Sequence, residues 1–172
     1  MSSSMNGSET VCLTPGQVLL RAGGQGPLWR VSGGTLCVQQ RHGADVALVQ
    51  LALPGDWIGV ERLCGEAYRF EVVALTECSL QTHALEAVSA QEVLASSFVR
   101  QQKRLDDMTR LRTGSMVQRL GHLLRLLGVP LGQAQVRPQL PTLRALGGIV
   151  DAVPETVCRE LKRLLPSAAR AA

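Results

Sequence analysis

Aromatic side chains are scarce in this sequence: two Trp, two Phe and one Tyr, 3% of 172 residues. Any core must therefore be built from Leu, Val and Ala, and the 45% hydrophobic content against 19% charge is globular composition. No run approaches the roughly 18 uncharged apolar residues of a membrane-spanning helix. The opening MSSSMNGSET has neither the basic nor the apolar stretch of a secretory leader, so a cytoplasmic protein with no membrane association is expected. The five cysteines, Cys12, Cys37, Cys64, Cys78 and Cys158, are odd in number and form no Cys-x-x-Cys pair. That argues against a disulfide framework and against a zinc or iron-sulfur site, and predicts reduced thiols. His42, His83 and His122 lie far apart with no carboxylate partner pattern, and each reads as a surface or satisfied side chain. No catalytic residue, metal or cofactor is expected.

Charge is modest in total and uneven along the chain. From Leu111 onward nine basic residues (Arg112, Arg119, Arg125, Arg137, Arg144, Arg159, Lys162, Arg163 and Arg170) face three acidic ones (Asp151, Glu155 and Glu160), a balance of +6. The whole chain carries +4, so the part before Leu111 carries −2. A basic final third on a slightly acidic body suits a protein in which one domain meets a polyanion. A solvated basic face gives the same count.

The length allows one domain, or two small ones of roughly 110 and 60 residues sharing a helix. From Val11 to about His83, short β-rich runs (VCL, GQVLL, PLWRV, GTLCVQQ, DVALVQLAL, RFEVVAL, CSLQTH) alternate with the turn signals TPG, GGQG, SGG, RHG and LPGDW. Such spacing predicts an antiparallel sandwich, jelly roll or barrel over 11–86, after an unstructured stretch at 1–10. Glycine then stops, and 87–112 has helical periodicity. Leu94, Phe98, Gln101, Leu105 and Met108 recur at spacings of four and three, a heptad seam suited to dimerisation. A helix packed only on its own β-domain has the same pattern.

After the hinge TGS, the segment MVQRLGHLLRLLG carries an apolar stripe of Leu120, Leu123, Leu124 and Leu127 and ends at Gly128. The tail divides into two short helices: Thr142 as N-cap up to about Val150, a turn over Asp151 to Val153, then Pro154 to Leu165. Two helices joined by so short a turn make a helix-turn-helix within a domain spanning 113–172. The fold class is thus α+β.

RALGGIVDAVPETVCRELKRL resembles the helix-turn-helix of the CRP/FNR superfamily of bacterial transcription regulators, in which Glu-Thr-x-x-Arg opens the recognition helix. LTPGQVLLRAGG, LWRVSGGTLCV and LALPGDWIGVERL resemble the glycine corners of that family's cyclic-nucleotide-binding-like barrel, and the order of parts matches from about 11 to 165. The resemblance implies a homodimer placing each recognition helix in a major groove of double-stranded DNA, with RNA polymerase as a further candidate partner. Glu155 and Arg159 share a face, where Arg can donate to guanine O6 and N7 and the carboxylate can accept from cytosine N4. An ordinary i,i+4 surface ion pair is the plainer reading of the two. Thr142, Lys162 and Arg163 suit phosphate contacts, and Thr156 and Cys158 belong to the same expected interface. Oxidation of Cys158 would put polar bulk against DNA.

Three departures from the pattern stand out. Asp151 occupies a turn position where the family usually has Gly, and the turn is expected to survive because Asp tolerates the left-handed region better than most residues. LLPSAARAA has no strand pattern, so the β-hairpin wing that usually follows is expected to be missing. Gly59-Val60 and Arg69-Phe70 stand where cyclic-nucleotide-binding relatives have Gly-Glu and Arg-Ser. Val60 cannot accept from a ribose, Phe70 cannot donate to a phosphate, and Glu61 is one residue out. A barrel that does not bind cyclic AMP in the usual way follows. The competing functional readings are a dimeric interaction protein that no longer binds DNA specifically, and a small-molecule-binding module.

Overall fold

The computed structural model describes residues 9–129 and 140–165. They fall into two compact units that divide between Lys103 and Arg104. The first holds eight strands: β1 (Thr10–Leu13), β2 (Val18–Leu20), β3 (Leu28–Gly33), β4 (Leu36–His42), β5 (Asp45–Ala52), β6 (Trp57–Ile58), β7 (Glu71–Ala74) and β8 (Cys78–His83). They form two four-stranded sheets, ordered β1-β8-β3-β6 and β2-β7-β4-β5, and every pairing is antiparallel. Val31 and Leu80 of one sheet and Leu36, Val38, Ala52, Val72 and Ala74 of the other are buried in one apolar cluster, built from aliphatic side chains as the composition requires. This is the antiparallel two-sheet body expected of the glycine-punctuated first half.

The differences from expectation are local. Strand β6 is only two residues long and hides inside the WIG corner, too short to show an alternation. Strand β1 begins at Thr10, inside the stretch expected to be unstructured, because Glu9 exchanges backbone bonds with the Thr82 side chain and amide on β8. Residues 1–8 lie outside the described residues. At the Gly34 corner, where φ is 81°, a Cβ would stand 2.1 Å from the carbonyl oxygen of Glu77, so only glycine fits.

Helix α1 spans Ala90–Arg112 and begins later than the periodicity suggested. Leu85–Ala87 make a short 3-10 turn, Val88 is extended, and the hydroxyl of Ser89 accepts from the Glu92 amide at 3.4 Å to start the helix. In the first unit, Arg100 on α1 reaches the PGD corner. Its Nη1 lies 3.5 Å from Oδ1 of the buried Asp56, whose Oδ2 accepts from the Leu53 amide at 2.9 Å. Gly55 itself takes φ 89°, a left-handed conformation that favours glycine at this corner as well.

The second unit holds α2 (Met116–Leu126), α3 (Leu143–Val150) and α4 (Pro154–Leu164), which pack on one another. Ser115 and Gln118 form a reciprocal capping box at the start of α2. The core here is Leu120, Leu123, Leu124, Leu146, Ile149, Val150 and Val157, all buried. Among the described residues, no helix is long and apolar enough to cross a membrane.

Candidate nucleic-acid interface

Helix α3 starts where the sequence predicts. Thr142 is its N-cap, with Oγ1 accepting from the Ala145 amide at 3.2 Å. The helix ends at Asp151, which takes φ 52° and is the only described non-glycine residue in the left-handed region. The turn that usually calls for glycine is therefore made with aspartate. Closeness of the two helices depends on Gly147: a Cβ there would stand 2.4 Å from the carbonyl oxygen of Ala152, whose amide donates to the Gly147 carbonyl at 2.9 Å. Pro154 then opens α4 at its first position, where a missing N–H costs nothing.

Helix α4 is strongly two-sided. Val157 and Glu160 are buried, whereas Glu155, Arg159, Lys162 and Arg163 are exposed and Thr156 and Cys158 are partly so. All six residues predicted here for DNA contact thus keep solvent access, and Thr142 stays exposed at the start of α3. Arg159 does not pair with Glu155. Its Nε donates to Glu160 Oε1 at 3.2 Å, and Arg163 Nη1 donates to both oxygens of the same carboxylate at 3.2 and 3.3 Å. Sequence reasoning counted Glu160 only as a charge; its place on the Val157 side of the helix, three residues on, was the available signal.

Two further contacts set this unit's geometry, and sequence reading found neither. Arg119 of α2 donates from Nη1 to the Val150 carbonyl at 2.7 Å and to that of Asp151 at 3.4 Å, satisfying the last carbonyls of α3 from outside. His122 is a satisfied side chain whose partner no sequence pattern showed: its Nε2 lies 3.0 Å from Asp107 Oδ1, and Arg125 Nη2 is 3.4 Å from its Nδ1. A guanidinium only donates, so Nδ1 accepts and Nε2–H donates to Asp107. Asp107 also receives Arg104. Fifteen residues separate Asp107 from His122, so no local spacing could show the pair.

The seam residues of α1 have unequal exposure. Leu94 is 40%, Phe98 66% and Leu105 54% exposed, Gln101 is exposed and Met108 half-buried. Leu94, Phe98 and Leu105 thus leave apolar surface uncovered on this helix.

In the first unit, Gly59 (φ 81°) leads into a 3-10 turn at Val60–Cys64. The Glu61 carboxylate turns back to its own loop, its Oε1 accepting from the Arg69 amide at 2.8 Å. Tyr68 is buried and donates from its hydroxyl to the Pro27 carbonyl at 2.7 Å, and burial pushes its phenol pKa up. Its ring lies so close that a Cβ on Gly59 would be 2.7 Å from it and one on Gly26 2.6 Å from its oxygen. Arg69 is exposed, with its guanidinium 5.7 Å from the centre of the Phe70 ring.

No family model matches the sequence, and no curated protein matches it either. Solved structures do. TTHB099, a transcriptional regulator of the CRP family from Thermus thermophilus, is 24% identical with a TM-score of 0.69, over 90% of this chain and 83% of that one. The chain has a CRP-like fold. FixK2 from Bradyrhizobium japonicum is 18% identical with a TM-score of 0.66, over 91% of this chain and 84% of that one. TTHA1359, a CRP/FNR family transcriptional regulator also from Thermus thermophilus, is 21% identical with a TM-score of 0.61, over 91% and 85%. In this CRP-like fold α4 presents the exposed basic face just described. The expected absence of a wing concerns residues from 166 onward, outside the described residues.

Proposed function

We propose that this chain is a sequence-specific DNA-binding transcription regulator that acts as a homodimer on two-fold symmetric sites. On this reading α3 and α4 are a helix-turn-helix, and α4 enters the major groove with Glu155 and Arg159 toward base edges. Thr142, Lys162 and Arg163 meet phosphates, and Thr156 and Cys158 line the same surface. The observation that carries it is the two-sidedness of α4: the apolar Val157 is buried while Glu155, Arg159, Lys162 and Arg163 all stay in solvent, in a CRP-like fold.

Dimerisation through Leu94, Phe98, Gln101, Leu105 and Met108 is supported by the uncovered apolar surface on α1. A second copy covers such a surface in register and sets the two α4 helices about a two-fold axis. The barrel is read as a body that does not answer cyclic AMP. Val60 and Phe70 offer no polar side chain, and the Glu61 carboxylate is oriented by the Arg69 amide, which donates to its Oε1.

The test is selection of bound sequences from random duplex DNA by the full chain. An enriched palindrome, with half-sites about one helical turn apart, is the expected result. Enrichment of no sequence would favour a dimeric interaction protein instead.

A further inference from the structure

Helix α4 carries two glutamates with opposite fates: Glu155 is exposed, whereas Glu160 is 4% exposed. The buried carboxylate is neutralised by two guanidiniums that themselves stay in solvent, with side chains 64% exposed at Arg159 and 68% at Arg163. The division of labour between them is uneven. Arg163 Nη1 donates to both carboxylate oxygens, while Arg159 gives only its Nε–H, to Oε1 at 3.2 Å.

A guanidinium is planar and rigid, with one N–H on Nε and two on each terminal nitrogen. A bond at Nε therefore restricts how that plane can turn. Among the described residues, the two terminal nitrogens of Arg159 have no hydrogen-bond or ion-pair partner. They form the edge that donates in parallel to guanine O6 and N7. An arginine without such a tether keeps its rotamer freedom until it binds, and ordering it then opposes binding.

We propose that Glu160 is a positioning residue for base recognition: by holding Arg159 through Nε, it aims the Nη1–Nη2 edge at one base pair. The inference rests on the reading of α4 as the DNA-reading helix, and it adds a specificity-determining residue that touches no base. Arg163 Nη1 donates to the same carboxylate, so in the free protein the buried charge of Glu160 is matched while Arg159 is held. Preorganising one reader through a buried neighbour is how a supporting shell sharpens a binding site.

The test compares affinities of the full chain for the duplex enriched by the wild type and for a random duplex of equal length. The proteins are the wild type, E160L, E160Q, R159A and R159A/E160L. Taking the ratio of the two affinities cancels the change in net charge, which both duplexes feel alike. E160L, whose apolar side chain suits a buried position, should lower the ratio by about tenfold, with E160Q in between. In the R159A background E160L should leave the ratio unchanged, since the cycle isolates the Glu160–Arg159 coupling. Thermal unfolding of each variant reports the fold, and E160Q carries the test if E160L unfolds. A ratio unmoved by both substitutions, or lowered as much without Arg159 as with it, overturns the role of Glu160. A wild type that enriches no sequence overturns the DNA-reading assignment itself, and this proposal with it.

Discussion

The guanidinium of Arg119 on α2 caps α3, donating from Nη1 to the Val150 carbonyl at 2.7 Å. A cation at the negative end of a helix, supplied by a neighbouring helix, ties the turn before α4 to the core of its unit. Arg119→Ala should lower the unfolding free energy by about 1 to 2 kcal/mol, the cost of a charged hydrogen bond and an unsatisfied helix end. Urea unfolding of the wild type, Arg119→Ala and Arg119→Lys measures it, with lysine expected to recover part of the loss. A loss within error in the alanine variant would mean that the carbonyls are equally well served by water.

Arg159 and Lys162 should separate sequence reading from charge. Arg159→Ala is expected to cost roughly 1 to 3 kcal/mol on the selected duplex and to relax preference at one base pair. Lys162→Ala should weaken selected and random DNA alike and reduce the slope of affinity against salt by about one ion. Fluorescence anisotropy at several salt concentrations distinguishes the two patterns. Equal weakening of both duplexes by Arg159→Ala would reduce that residue to a phosphate contact.

Phe98 is the most exposed large apolar side chain on α1, at 66%. Phe98→Glu places a charge within the seam and should convert a dimer into a monomer, read by sedimentation equilibrium. Gln101→Leu removes the one polar seam residue and should tighten the dimer. A wild type that sediments as a monomer at micromolar concentration counts against this seam as an interface.

These outcomes bear on how much the amino-acid order discloses by itself. The two-sheet body was legible because glycine marks most of its corners, although Leu75-Thr76-Glu77 between β7 and β8 has none, and Val- and Leu-rich runs lie between. Helices α3 and α4 were legible because Thr142 marks the start of the first, Asp151 its end and Pro154, three residues on, the start of the second. Contacts between distant segments were not. Asp107 and His122, Arg119 and Val150, and Glu61 and the Arg69 amide are joined by packing that no local period encodes. Glu160 was hidden differently: a carboxylate on an apolar face reads as solvent-facing until its two arginines are seen folded over it.

Gln39 controls a titration in the barrel. Its Nε2 donates to Glu71 Oε1 at 2.6 Å, and this bond, opposed by burial and aided by Arg41, holds the Glu71 carboxyl below its ordinary pKa. A depressed carboxyl stabilises the fold above its unfolded pKa of about 4.3, and the contribution is lost as pH falls through the folded value. Gln39→Ala should therefore cost about 1 kcal/mol at pH 7. The gap between variant and wild type should close as the pH drops below about 4. Chemical denaturation from pH 7 to pH 3 tests this, and a gap independent of pH would assign the loss to packing instead.

Cyclic AMP should leave the barrel unmoved. A ligand present at about 100 times its dissociation constant stabilises a protein by about 2.7 kcal/mol, which a thermal melt detects readily. Millimolar cyclic AMP is expected to change neither the melting temperature nor DNA affinity, since Val60 and Phe70 supply no polar partner. A clear upward shift would show that the barrel holds the nucleotide by other groups.

Gly147 and its neighbour Gly148 look alike in the chain and answer to different constraints. A Cβ at Gly148 meets nothing within 4 Å, whereas one at Gly147 collides with the Ala152 carbonyl. Over evolutionary time the second glycine is free to drift toward better helix formers, and the first is not. Divergent descendants of this chain would then keep a single invariant glycine between Leu146 and Ile149, a fossil of how closely the two helices meet.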